Sequence, residues 1–174
     1  MSEFTLSLDI PSLEITSQTI DTEGNIVFTV KSKCAKTTCH KCGKDATKPY
    51  GHSAIIDYRH TSILDTPVIL KIKPVRYECK HCNDGTTTTE KYDWVAEGGK
   101  ITKGLEKYIL RCIINSTIQD VARKERISYK TIQHTLNQLI NCKIDWDKHS
   151  DLDTIGIDEI SNRKGLQDFR SEEH

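Results

Sequence analysis

The chain has 174 residues with 25 basic and 25 acidic side chains, so its formal net charge at pH 7 is zero. Hydrophobic residues make up 36% and charged residues 29%, which is ordinary for a soluble protein. The apolar runs are far shorter than the roughly 20 residues that cross a bilayer, and the N-terminus lacks a basic stretch followed by an apolar one. We therefore expect no membrane association and a location in the cytoplasm.

The zero net charge hides a segregation of charge along the chain. Residues 31–82 carry 11 basic and four acidic side chains, and residues 103–143 carry eight and three. Residues 1–30 have five acids and no basic side chain, while residues 144–174 have nine acids against four bases. Two basic blocks of this kind favour binding to a polyanion, although a charged run is more often only a solvated face.

Short apolar alternations around residues 13–15 and 26–30 surround a turn-rich segment at residues 21–25. This pattern predicts a β-hairpin within residues 6–33. Its second strand leads toward the first cysteine pair, so we expect the hairpin to pack against a metal site.

Two Cys-x-x-Cys pairs, Cys39 with Cys42 and Cys79 with Cys82, predict a structural metal site. Each pair supplies two thiolates, and two pairs complete the tetrahedral four-sulfur coordination of Zn²⁺ with no position left for water. The alternative is four unpaired buried cysteines or two disulfides, which the doubled spacing disfavours. Cys34 is a further sulfur donor that this site does not require.

The residues between the two pairs have strand patterns at 53–61 and 68–78, which predict a small β zinc ribbon. With its hairpin, this module is expected to span residues 1–83. Arg59 and Arg76 lie on these strands among tyrosines, and we expect both to contact phosphates. Exposed strand residues that bind nothing are an equally weighted alternative.

A polar, glycine-containing stretch predicts a linker over residues 84–100, followed by a helical domain over residues 101–145. Thr102 is the expected N-cap of the first helix, and Ser116 or Thr117 of the second. Helical apolar spacing after these caps supports both helices.

The second and third helices predict a helix-turn-helix, because two short capped helices are joined by a tight turn. Ser128 is the expected cap of the third helix. Arg126 occupies the turn position where a left-handed backbone favours glycine, so we expect strain or a looser turn there. The exposed start of the third helix offers polar groups suited to a major groove, and the candidate DNA contacts are Tyr129, Lys130, Thr131, Gln133 and His134.

An apolar strand pattern at residues 154–157 ends in the acidic pair Asp158 and Glu159. A carboxylate at the end of a strand often begins a Mg²⁺ site. A surface acidic pair is the competing interpretation, because one acid cannot complete such a site.

These features, in this order, resemble the ISL3 family of insertion-sequence transposases up to about residue 169. The pieces that carry the resemblance are residues 39–43, 75–79, 100–102, 120–123 with 128–132, and 156–159 with 163–165. The resemblance implies a zinc ribbon and a helix-turn-helix ahead of a ribonuclease-H-like catalytic domain. In a full-length member that domain binds Mg²⁺, and Asp158 matches the first of its metal-binding acids.

The resemblance stops before the strands that would bring the remaining acids. Residues 146–174 are therefore expected to be the truncated start of the catalytic domain. A lone Asp158 cannot hold two metals for DNA strand transfer, so we expect this chain alone to be catalytically inactive. The expected fold class is α+β: a hairpin with a β zinc ribbon, a helix-turn-helix domain, and a truncated first strand of a ribonuclease-H-like domain.

The predicted function is that of the DNA-binding N-terminal portion of a transposase, with structural Zn²⁺, bound to transposon terminal repeats. Its expected place is the bacterial cytoplasm in association with the nucleoid, as a homodimer or together with a full-length transposase. Two other functions stay open. One is a stand-alone DNA-binding regulator or repressor of transposition, and the other is a zinc-ribbon module for protein interactions with no DNA role.

Overall fold

The structure is a computed structural model that describes residues 8–82 and 85–139. Within these residues it has the mixed α+β fold that the sequence predicted, and no helix there is long and apolar enough to cross a membrane. The predicted first strand of a ribonuclease-H-like domain lies outside the described residues. The strands are β1 (Leu13–Ile20), β2 (Ile26–Ser32), β3 (Thr37–Thr38), β4 (Asp45–Ala46), β5 (Lys48–His52), β6 (Ile56–Ile63), β7 (Thr66–Ile72), β8 (Val75–Glu78) and β9 (Thr87–Thr89). The helices are α1 (Lys103–Ile113), α2 (Ile118–Glu125) and α3 (Tyr129–Leu139).

A four-stranded sheet in the order β1-β2-β7-β6 is the largest sheet of the described residues. β1 and β2 form the predicted antiparallel hairpin, and the Asp21 carboxylate accepts hydrogen bonds from the backbone N–H groups of Glu23 and Asn25 at its turn. β2 and β7 pair in parallel, whereas β7 and β6 are antiparallel. Leu64 and Asp65 join β6 to β7, and their φ angles are 47° and 61°. Two positive φ values are typical of a two-residue hairpin turn, because they match the twist of the flanking strands.

One face of this sheet carries the first hydrophobic core. Phe28, Val68, Leu70 and Ile72 are almost completely buried and recur at the two-residue period of their strands. Trp94 closes this core from the segment predicted to be a linker. That segment differs from the prediction because β9 pairs with β8 and the large apolar area of Trp94 is removed from water.

The cysteine pairs lie in the turns that follow β3 and β8, and these strands belong to two smaller sheets, β3-β4 and β5-β8-β9. The single strand predicted at residues 68–78 is divided into β7 and β8 at Pro74, which has no N–H to donate to a ladder. β6 and β7 accordingly belong to the four-stranded sheet rather than to the ribbon. The hairpin likewise packs within that sheet and not on the metal site as expected, because β2 finds a partner in β7.

The three helices enclose a second core that includes Leu105, Ile109 and Ile132. Thr102 caps α1, since its side chain accepts from the Leu105 N–H, and Thr117 caps α2 in the same way. Both caps agree with the sequence prediction. Ser128 accepts from the Thr131 N–H at 3.1 Å and begins α3.

β6 connects directly to the helical part of the chain. Arg59 forms a parallel bridge with Ile101: its N–H donates to the Lys100 carbonyl at 2.8 Å, and its carbonyl accepts from Thr102 N–H at 3.0 Å. The ring Nδ1 of His60 lies 2.9 Å from the Thr102 hydroxyl. The cap of α1 is therefore anchored on the sheet.

Candidate metal centre and nucleic-acid interface

The four predicted cysteines converge on one point. The sulfur atoms of Cys39, Cys42, Cys79 and Cys82 all lie within 4.8 Å of one another. The Cys39–Cys82 sulfur distance is 3.9 Å and the Cys42–Cys79 distance is 3.5 Å. A tetrahedral site with Zn–S bonds of about 2.3 Å requires sulfurs about 3.8 Å apart, so four thiolates in this arrangement fit a metal ion such as zinc. The same distances are far too long for disulfides, and all four cysteines are free.

Two backbone turns present these sulfurs. The Gly43 N–H donates to the Cys39 carbonyl at 3.0 Å, and the Cys39 N–H donates to the Lys44 carbonyl at 2.8 Å. Gly43 has a φ of 72°, a left-handed conformation that glycine adopts without steric cost. On the second pair, the Cys79 N–H donates to the Thr86 carbonyl at 2.9 Å.

The parallel pairing of β2 and β7 brings the two turns together. Val30 on β2 is the register partner of Ile72 on β7, and both strands run in the same direction. The chain reaches Cys39 nine residues after Val30 and Cys79 seven residues after Ile72. Parallel strands leave a sheet at the same end, so each delivers its cysteine pair to the same neighbourhood.

The electrostatics of the sulfurs suit a cation. Hydrogen bonds from the Cys42 and Lys41 backbone N–H groups lower the pKa of Cys39 to about 6. Loss of hydration, followed by the neighbouring thiols, raises the pKa of Cys82 to about 12, and desolvation also raises that of Cys79. Burial and the neighbouring sulfurs thus oppose the ionisation of Cys79 and Cys82. Four thiolates at this place therefore require a positive charge between them, which a bound divalent metal supplies.

The competing donors near this cluster have other roles. Cys34 is exposed, is not in the cluster, and its carbonyl accepts a hydrogen bond from the Tyr77 hydroxyl at 3.1 Å. The His40 ring Nδ1 lies 2.9 Å from the Thr88 hydroxyl, which attaches the first turn to β9. His81 is exposed.

α3 presents a polar outer face. Ile132 and Thr135 point into the helical core, with exposed fractions of 0% and 2%, while Lys130 and Gln133 are exposed and Tyr129 keeps 47% of its surface. Thr131 is half-buried, and its hydroxyl lies 2.7 Å from that of Ser128. The predicted contact residues are thus brought together on one helix, and most of them face solvent.

Two further observations concern this face. Asn137 is exposed four residues beyond Gln133, so its amide lies on the same face of α3. Asn137 was not among the contact residues predicted from the sequence, although the four-residue spacing could have identified it. The ring of His134 lies against Gly98, where a Cβ would come within 3.1 Å of Nε2. Gly98 therefore leaves room for an imidazole that packs on the turn before α1.

The turn between α2 and α3 adopts the conformation expected from the sequence. Arg126 has φ 52° and ψ 45°, and its N–H donates to the Ala122 carbonyl as the C-cap of α2. The Ile127 N–H also donates to Ala122, and Ile127 is buried in the helical core. The arrangement closes α2 at the cost of a left-handed non-glycine residue.

The two predicted arginine contacts differ in their surroundings. Arg59 is half-buried, and its guanidinium donates to the carbonyls of His60 and Glu125 as well as to the Ser62 hydroxyl. These bonds commit both terminal nitrogens of the guanidinium to acceptors within the protein. Arg76 lies on β8, where its guanidinium donates to the Thr87 hydroxyl at 2.6 Å.

The catalytic candidate Asp158 lies outside the described residues. Within them, the geometry defines a four-cysteine cluster and, separately, a tri-helical domain with a capped α2-turn-α3 unit. That domain belongs to the helix-turn-helix class by its turn, its caps and its polar outer helix.

Residues 90–139 match the sequence model of the helix-turn-helix domain of transposase family ISL3. This range holds α1, α2 and α3, so the match confirms the predicted helix-turn-helix and supports the ISL3 transposase family. It does not reach the cysteine pairs or Asp158. No curated protein and no solved structure gives a significant match to the chain.

Proposed function

We propose that this protein is the DNA-binding portion of an ISL3-family transposase and that it binds transposon ends through α3. The observation that carries the proposal is the family match over residues 90–139, which coincides with the capped α2-turn-α3 unit. α3 has the orientation that such a role requires, with apolar residues inward and amide and ammonium groups outward.

Three exposed side chains of α3 have a role in this proposal. Lys130 neutralises a backbone phosphate, and Gln133 and Asn137 offer amides that donate and accept at base edges. Arg76 on β8 is retained as a phosphate contact of the ribbon, held by Tyr50, over whose ring it lies at 5.7 Å. Arg59 is assigned a structural role instead, because both terminal nitrogens of its guanidinium already donate within the protein.

The four cysteines hold a structural Zn²⁺ in this proposal, and the metal has no part in chemistry. Sulfur spacing near that of a tetrahedral site supports this, as does the absence of room for a water ligand once four thiolates coordinate. The ion fixes β3-β4 against β8, so these strands become a rigid unit.

Binding to a pool of randomised duplexes, with repeated selection and sequencing, tests the proposal. We expect one enriched motif. Gln133→Ala should weaken binding to that motif by about 1–3 kcal/mol and relax the preference at one position. Lys130→Ala should weaken all duplexes alike and lower the salt slope by about one.

The matched control is Lys31→Ala, which removes an exposed charge from β2. It should leave the affinity, the salt slope and the sequence preference unchanged. A pool that shows no enrichment, together with binding that does not respond to salt, would contradict the proposal and favour a protein-interaction module.

A further inference from the structure

α1 carries a row of cations on one side. Lys103, Lys107 and Arg111 recur at four-residue intervals, so they are stacked along the helix about 6 Å apart. All three are exposed. The buried residues of α1, Leu105 and Ile109, lie roughly opposite on the helix and pack in the core shared with α2 and α3. The row therefore faces away from the helix-turn-helix core.

The row borders a cleft of about 470 Å³ between α1 and the four-stranded sheet. His60 and Trp94 line its other side. Trp94 is 8% exposed, and its buried indole Nε1 has no hydrogen-bond partner in the described part of the chain. Asp9 is the acidic member of the described lining.

The cations of this cleft are available to a ligand. Among residues 8–82 and 85–139, neither Lys103 nor Lys107 forms an ion pair, and Arg111 has a ring contact only, 5.9 Å from the centre of Tyr108. Three cations against one acid attract a polyanion, and their placement along one cleft concentrates that attraction.

From these observations we infer that the cleft binds the phosphodiester backbone of a second DNA segment, other than the one on α3. The inference rests on the proposed function for the identity of the polyanion. The cations of the row are spaced at a distance comparable with that between neighbouring phosphates along a strand. A single compact anion would not need three cations in a line. In this arrangement α3 holds one segment and the α1 row, on the side of α1 away from the core, holds the other, so that one protein holds two segments.

A bridging assay tests this inference. A mixed-sequence duplex is tethered to beads, protein is added, and capture of a second, fluorescent duplex is measured. The triple variant Lys103→Ala/Lys107→Ala/Arg111→Ala should bind the tethered duplex but capture at least tenfold less of the second. Its salt slope for mixed-sequence DNA should fall by about three.

The matched control removes the same charge from exposed lysines outside the cleft: Lys31→Ala/Lys73→Ala/Lys91→Ala. Its bridging should be close to wild type. If the triple variant fails to fold, Lys107→Ala alone should lower the salt slope by about one. Unchanged bridging and an unchanged slope in the α1 variants would overturn the inference, as would a wild-type protein that does not bridge.

The two proposals fail in different ways. If Gln133→Ala relaxes the motif preference while the α1 variants behave as wild type, the proposed function is supported and DNA binding in the cleft is rejected. If bridging depends on Lys107 but the protein shows no sequence preference, DNA binding in the cleft is supported and sequence recognition by α3 is rejected.

Discussion

The guanidinium of Arg59 donates to the backbone carbonyl of Glu125 at 3.3 Å. Since Arg59 lies in β6 and Glu125 ends α2, this bond connects the four-stranded sheet to the turn of the helix-turn-helix. Burial lowers the pKa of Arg59, and the nearby Glu125 charge opposes that shift. The guanidinium also donates to the carbonyls of His60 and Val68, so one side chain satisfies three backbone acceptors.

Arg59→Ala should lower the free energy of unfolding by about 2 kcal/mol or more, because several acceptors would lose a charged donor. Urea denaturation measures the loss. Arg123→Ala is the control, since Arg123 forms only an exposed ion pair with Asp120 and should cost no more than about 0.5–1 kcal/mol. A direct phosphate contact by Arg59 would give the opposite pattern, with stability retained and the salt slope of DNA binding reduced.

Arg126→Gly should raise the free energy of unfolding by about 1 kcal/mol, because glycine adopts φ near 52° without the strain that a Cβ imposes. Arg126→Ala removes the same charge but keeps the Cβ, so it should bring no such gain. Thermal unfolding of the two variants beside wild type separates backbone strain from charge. Equal shifts in both would assign the effect to the guanidinium.

Cys79→Ser should abolish stoichiometric zinc binding, because three thiolates and a hydroxyl hold the ion poorly. Cys34→Ser is the matched control: it is an exposed cysteine outside the cluster and should keep one zinc per chain. Metal content after dialysis measures both. Hydrogen exchange should show β3, β4 and β8 exposed in Cys79→Ser while β2 and β7 remain protected, since their pairing does not require the ion. Full zinc content in Cys79→Ser would rule out the four-sulfur site.

His60 should make stability depend on pH. Burial, followed by the charge of Arg59, lowers its pKa, and Asp9 opposes the shift. A histidine whose pKa is lower when folded binds fewer protons in the folded state. The stability from neutral His60 is therefore present above the unfolded pKa of about 6.5 and is lost as the pH falls below it.

His60→Asn keeps a polar group near Thr102 but does not titrate. Between about pH 6.5 and pH 5, wild type should lose more in melting temperature than this variant. The cysteines affect both proteins equally, so the difference belongs to His60. Identical pH profiles would show that the pKa of His60 is the same in the folded and the unfolded protein.

Local signals made the helical part predictable. Thr102, Thr117 and Ser128 are capping residues that predict where the helices begin. The left-handed conformation of Arg126 follows from its position in a tight turn. The cysteine cluster was equally predictable, because ligand spacing defines it without knowledge of the strands.

Long-range pairing was not predictable from periodicity. Nothing local in β2 says that its partner is β7, some forty residues later, rather than the ribbon. The bond from Arg59 to the Glu125 carbonyl was not predictable for the same reason, because it depends on how β6 meets α2. Residues 84–100 were predicted to be a linker from their polar residues and glycines, although Trp94 among them is buried in the core of the sheet.

The parallel pairing of β2 with β7 also sets an order of events during synthesis. β1 and β2 can pair as soon as they leave the ribosome, but Cys39 and Cys42 must wait on the order of seconds until Cys82 has followed. During that interval the first pair is an exposed dithiol, open to oxidation or to a softer metal. Correct assembly of this protein therefore depends on the reducing power of the compartment that makes it.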